Sequence, residues 1–131
     1  MNELIAFLDG WSADPINAKS AFGQYKEILE KAPGAELEFV ARPGVSYSLR
    51  GKKKGGNRPV FALVDVVDDE PDNRWLSVCF YADLVTDPDE AGDFVPQGLL
   101  GEDALCFNLD ADDPAMREYI ARRLVEAASQ S

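Results

Sequence analysis

The feature that most constrains this chain is a change of apolar period at Pro33-Gly34. Before it, apolar residues recur with helical spacing; after it, they alternate as in half-buried strands. Leu4, Ile5, Leu8 and Trp11 fall on one helical face within residues 3–11. Asp14-Pro15 then offers a cap followed by proline at the first helical position, and Phe22, Tyr25, Ile28 and Leu29 carry a second helix up to Pro33-Gly34. Beyond it, Leu37, Phe39 and Ala41 alternate with Glu38, Val40 and Arg42. Val45, Tyr47 and Leu49 repeat the pattern past the Pro43-Gly44 turn. The run from Val60 to Val67 is nearly all apolar, as expected of a central strand with both faces covered. Residues 75–85 read as a long fourth strand, and Leu105, Phe107 and Leu109 mark a fifth. Asp112 or Asp113 caps a closing helix, with Pro114 near its start and Met116, Ile120, Leu124 and Ala127 turned inward.

Short connections between the first four strands demand antiparallel pairing, since a parallel pair needs a long crossover. The expected fold is therefore α+β: a five-stranded antiparallel meander sheet with two N-terminal helices and one C-terminal helix, ααβββββα, in a single domain over 1–131. The 86–103 connection is roughly 18 residues long, which is unusual inside a compact domain and points to a functional segment.

The chain has 24 acidic against 13 basic side chains, a net charge of −11, and no histidine. The acidic balance excludes nucleic acid, whose phosphates need Lys and Arg, and speaks equally against an anionic membrane. Without histidine, every His-based triad is excluded, and any metal would be a hard cation on carboxylates. The N-terminus lacks a signal-peptide pattern and no run is long enough to cross a bilayer, so the expected location is cytoplasmic. Cys79 and Cys106 each lie in an apolar strand-like run, where a free cysteine behaves as a small hydrophobe, with a redox or ligand role as the alternative.

Alternating strand direction sorts the charges by sheet end. One end collects Asp68, Asp69, Glu70, Asp72, Asp110, Asp112 and Asp113, either as ordinary turn and cap chemistry or as a site for iron, Ca²⁺ or Mg²⁺. The other sets Arg50, Lys52, Lys53, Lys54 and Arg58 among Asp87, Asp89, Glu90 and Asp93, with the lysines on a solvated hairpin tip or, alternatively, binding phosphate or an acidic partner. Asp87 to Asp93 fails as an EF-hand, because Ala91 and Gly98 stand where oxygen ligands are required. Residues 51–57 lack the Walker spacing.

Two features remain. Asp65 and Asp83 interrupt or end apolar strands, where a carboxylate with a raised pKa can mark a site; a carboxylate-based hydrolase is the enzymatic alternative they offer. On the fourth strand, Leu76, Val78, Phe80 and Ala82 form the core face, leaving Trp75, Ser77, Cys79 and Tyr81 on an amphipathic opposite face. That face, with Asp65, is the candidate ligand-binding surface; a small molecule, a second copy of the chain in a homodimer, or the 86–103 loop would cover it.

The segments Val45-Ser46-Tyr47-Ser48-Leu49, Arg58-Pro59-Val60-Phe61-Ala62, Leu76-Ser77-Val78-Cys79-Phe80 and Ala104-Leu105-Cys106-Phe107-Asn108-Leu109-Asp110, with Ile120, Arg122 and Leu124 beyond, resemble the YdhG-like group of small bacterial α+β domains. The resemblance spans residues 37–127 and implies an acidic, oxygen-ligand surface that handles iron as a chaperone does. The lysine loop and the 86–103 insertion depart from the family pattern. From the residues themselves, the leading expectation is a non-enzymatic binding module using the amphipathic sheet face or the charged loops, with no required cofactor. Iron or divalent-cation handling at the acidic end is the alternative.

Overall fold

The computed structural model describes residues 2–130. Helices α1 (Asn2–Gly10) and α2 (Ala18–Lys31) precede the strands β1 (Ala35–Arg42), β2 (Ser46–Lys53), β3 (Ala62–Val67), β4 (Trp75–Tyr81), β5 (Asp93–Leu99) and β6 (Glu102–Leu109), and α3 (Pro114–Gln130) closes the chain. The sheet is antiparallel throughout, in the order β1-β2-β3-β4-β6-β5.

This corrects the expected five-stranded meander: the described residues form six strands, and the last two are out of sequential order. The extra strand, β5, lies inside the segment expected to be a loop. It pairs only with β6, as an edge strand, and six of its seven residues are exposed. With neither face buried it has no apolar alternation to read. Pro96 and Gly98 look like loop residues, yet an edge strand tolerates proline, and the pairing with β6 shifts register between Val95 and Leu99.

The second helix also starts later than expected. Asn17 occupies its N-cap in a left-handed conformation without a side-chain cap bond. Asp14 instead reaches forward, accepting from the Ala18 and Lys19 amides at 2.7 and 3.1 Å. Asp113 caps α3 as expected, accepting from the Met116 amide at 3.1 Å.

All three helices pack on one face of the sheet. Leu4, Phe22, Tyr25 and Leu29 from α1 and α2, with Ile120 and Leu124 from α3, meet Leu49, Val64, Leu76, Val78, Phe80 and Phe107 in one core. Burying each such side chain contributes about 1.5–3 kcal/mol. Tyr25 donates its hydroxyl to the Arg117 carbonyl at 2.9 Å, tying α2 to α3 inside that core. At Gly51, on β2, the backbone passes close to the core: a Cβ there would stand 2.8 Å from the Phe61 ring. The β4–β5 connection crosses the helical face. Val85 enters the core, Thr86 donates its amide to Glu126 at 2.8 Å, and Tyr119 donates its hydroxyl to Asp87 at 2.5 Å.

Candidate functional site

Among the described residues, no helix covers the opposite face of the sheet. Its centre is built by strand parity: Leu63, Asp65 and Val67 on β3, Trp75, Ser77 and Cys79 on β4, and Cys106 on β6, all partly exposed. Trp75, Ser77, Cys79 and Asp65, singled out from the sequence, therefore do come together. Tyr81 is different, being only 1% exposed. Val60, Leu99 and Ala104 pack around it in a small second core, and the Arg58 guanidinium lies 4.2 Å from its ring centroid. Arg58 is held there by both oxygens of Asp83, at 2.7 and 2.9 Å, and by Glu102 at 2.9 Å. One end of the face is thus closed by the 58–60 loop and the β5–β6 hairpin, and the rest is open.

Cys79 and Cys106 are not free cysteines. They are register partners on β4 and β6, with Cα atoms 4.1 Å apart, and they form a disulfide on the open face. The missed signal is parity: each occupies the outward position of its own strand, so pairing the strands puts the sulfurs on the same side.

Asp65 is flanked by Ser48 on β2 and Ser77 on β4. Burial raises its carboxyl above the usual range; the Ser48 hydroxyl bond and the charges of Arg50 and Arg42 oppose that shift without cancelling it. Its Oδ1 is buried and has no hydrogen-bond partner. Its direct and diagonal cross-strand neighbours are Ser46, Ser48, Arg50, Trp75, Ser77 and Cys79, with no second carboxylate among them. Asp83 borders a cavity of about 270 Å³ with Lys53, Asn57, Arg58, Phe61 and Gln130. Its bond to Arg58 holds it below the ordinary carboxylate range, which suits an ion pair and not a general acid. Asp65 has no carboxylate beside it, whereas Asp83 shares Arg58 Nη2 with Glu102 in an ion-pair cluster.

The carboxylate end forms as strand direction requires. Leu76 registers with Leu109, so the 68–73 turn and residues 110–113 lie at the same end of the sheet. Their roles are local, however. Asp68 is 3% exposed, bonded to Arg74 Nε at 2.6 Å and accepting from the Gly44 amide at 2.8 Å. Asp113 caps α3, while Asp69, Glu70, Asp72, Asp110 and Asp112 are exposed. Among the described residues, no three Asp, Glu, Cys or His side chains are grouped so as to hold a metal ion.

At the other end the expected partners change. Lys52 pairs with Glu38 at 3.2 Å, Arg58 with Asp83 and Glu102, and Lys53 donates to the Ala128 carbonyl. Asp87 serves Tyr119 and the Ala91 and Gly92 amides. The lysines are thus not all on a solvated tip, because β2 runs through Lys53. A separate apolar groove of about 530 Å³ runs between the ends of α2 and α3, lined by Ile28, Ala32, Pro33, Val125 and Ala128. Among the described residues, no helix is long and apolar enough to cross a membrane. Compared with known proteins, the chain matches no family model, no curated protein and no solved structure.

Proposed function

We propose that this chain is a non-enzymatic interaction module whose open sheet face pairs with a second copy of itself. The observation that supports this most is the one-sided packing: three helices cover one face, while Leu63, Val67, Trp75 and the disulfide stay partly exposed on the other. Charge favours a second copy as the occupant. The chain carries −11 overall, but on this face Arg42, Arg50 and Lys52 stand against Glu36, Glu38, Asp65 and Asp93, and the carboxylate cluster lies at the sheet end. Two such faces meet with little of the chain's net charge opposed, in the manner of packed sheets.

The whole face, six strands spaced ~4.8 Å apart and each of about seven residues, spans roughly 650 Å² in projection, of which one end is closed by the 58–60 loop and the β5–β6 hairpin. A stable interface needs ~800 Å² per partner. Iron handling, implied by the YdhG-like resemblance, finds no grouped ligands among the described residues, and the proposed module needs no metal.

Sedimentation equilibrium from micromolar to millimolar protein tests the reading. The wild type is expected to follow a monomer–dimer equilibrium and Trp75→Glu to remain monomeric with unchanged circular dichroism. A wild type that stays monomeric throughout, or a Trp75→Glu variant that dimerises equally well, overturns it.

A further inference from the structure

The Cys79–Cys106 disulfide joins two central strands on the open face, and both cysteines keep part of their surface exposed. The pair sits inside an antiparallel ladder that runs from Leu76 opposite Leu109 to Tyr81 opposite Ala104. That ladder holds β4 against β6 whether or not the sulfurs are bonded. A reduced pair would therefore stay face to face, at the high effective concentration that favours reclosure.

A row of polar side chains lies beside it, on adjacent register positions of β3 and β4. Ser77 places its Oγ 3.7 Å from Cys79 Sγ. A disulfide sulfur carries no proton, so the hydroxyl is the donor. Asp65 is the register partner of Ser77 on β3, and its buried Oδ1 has no hydrogen-bond partner. Carboxyl, hydroxyl and sulfur thus occupy neighbouring positions on one face, with Ser48 as the bonded partner of the carboxyl and Oδ1 left open beside Ser77. A purely structural disulfide has no use for a half-buried, incompletely bonded carboxylate, which destabilises the fold.

We infer that Cys79–Cys106 is a redox-active pair that exchanges with small external thiols, with Asp65 acting on Cys79 through Ser77 as a positioning residue for the proton. In reduction, an external thiolate attacks Cys106 Sγ. The Sγ–Sγ bond breaks and its electron pair leaves on Cys79, where the Ser77 hydroxyl donates to the new thiolate until it takes up the proton the external thiol released. A second external thiolate attacks the external sulfur of the mixed disulfide. Cys106 departs as a thiolate and takes the second proton. One protein disulfide and two thiols become one protein dithiol and one small disulfide. In the reverse direction Cys79 must lose its proton to close the ring, and Asp65 accepts it by way of Ser77. Burial raises the Asp65 carboxyl, which makes it the better acceptor. The other charges facing this route are Arg50 and Arg42 on the β1–β2 side and Asp93, the register partner of Cys106, on β5.

The exchange belongs to the free protomer and does not rest on self-association, which would cover the sulfurs. The test is equilibration of the oxidised protein, at low micromolar concentration and without denaturant, with reduced and oxidised glutathione in graded ratios. Both thiols are expected to appear together, to disappear on adding oxidised glutathione, and to do so with an unchanged far-ultraviolet circular dichroism spectrum. Asp65→Asn and Ser77→Ala are each expected to slow reclosure by roughly tenfold or more and to shift its pH profile, while Asp93→Asn keeps the wild-type profile shape. A disulfide that resists reduced glutathione until the protein unfolds, or thiols that do not reclose, overturns the redox assignment. Wild-type reclosure and pH profile in Asp65→Asn overturn the proton route. Reduction that slows as protein concentration rises reports pairing of the open faces, so that reading succeeds or fails separately.

Discussion

Asp68 Oδ1 stands 2.6 Å from Arg74 Nε, and the Arg74 guanidinium in turn lies 5.1 to 5.6 Å from the ring centroids of Phe7, Trp11 and Tyr47. With the Asp68 side chain 4% exposed and that of Arg74 13%, this is a buried ion pair roofing an aromatic cluster. Removing one member leaves the other charged and unpaired. Asp68→Ala is therefore expected to lower unfolding stability by about 3 kcal/mol in urea titration, whereas Asp69→Ala, at an exposed turn position, changes it by about 0.5 kcal/mol or less.

Nothing in the sequence separates Asp68 from Asp69, Glu70 and Asp72; all read as acidic turn residues. What singles out Asp68 is its place just past the end of β3, where its amide bonds the Val45 carbonyl and its carboxylate turns under Arg74. The strands with one buried face were legible because alternation records burial. β5 was not, because both of its faces meet solvent. Sorting the loops by sheet end survives the insertion of β5, since β6 still runs antiparallel to β4. On the candidate face, Trp75, Ser77 and Cys79 follow from parity on one strand. The disulfide needed parity on two strands, and the closure over Tyr81 depended on Arg58, Val60 and Leu99 from distant segments.

The disulfide closes a segment with a sequence separation of 27 residues. By the loop-entropy relation, such a crosslink destabilises the unfolded chain by about 3.5 kcal/mol. The double variant Cys79→Ser/Cys106→Ser is expected to keep the fold by circular dichroism and to unfold at lower denaturant, with a loss of about that size.

Asp65 and Asp87 are expected to give pH dependences of opposite sign. The folded-state pKa of Asp65 is raised, chiefly by burial, so its contribution is most favourable below the unfolded value near 3.8 and is lost as pH rises through the folded value. Asp65→Asn should then be more stable than wild type at neutral pH, with the advantage vanishing in acid. For Asp87, burial on its own raises the pKa, but the Tyr119 hydroxyl and the Gly92 and Ala91 amides outweigh it, so the net shift is downward. Its contribution is present above the unfolded value and lost as pH falls through the folded one. Melting temperatures of wild type, Asp65→Asn and Asp87→Asn across the acid range check both signs.

Tyr119 and Asp87 also fasten the β4–β5 connection to α3. Tyr119→Phe removes a hydrogen bond to a charged group and is expected to lower stability by about 1.5–3 kcal/mol. Asp87→Ala should in addition speed amide exchange at Ala91 and Gly92, which lose their acceptor. Hydrogen exchange followed residue by residue reads both effects.

The most direct measurement of the central claim is a dilution series followed by amide chemical shifts. Pairing of open faces predicts concentration-dependent shifts at Leu63, Asp65, Trp75, Ser77 and Cys79, with α2 and α3 unchanged. Shifts confined to the helical side, or none from millimolar to micromolar protein, would contradict it.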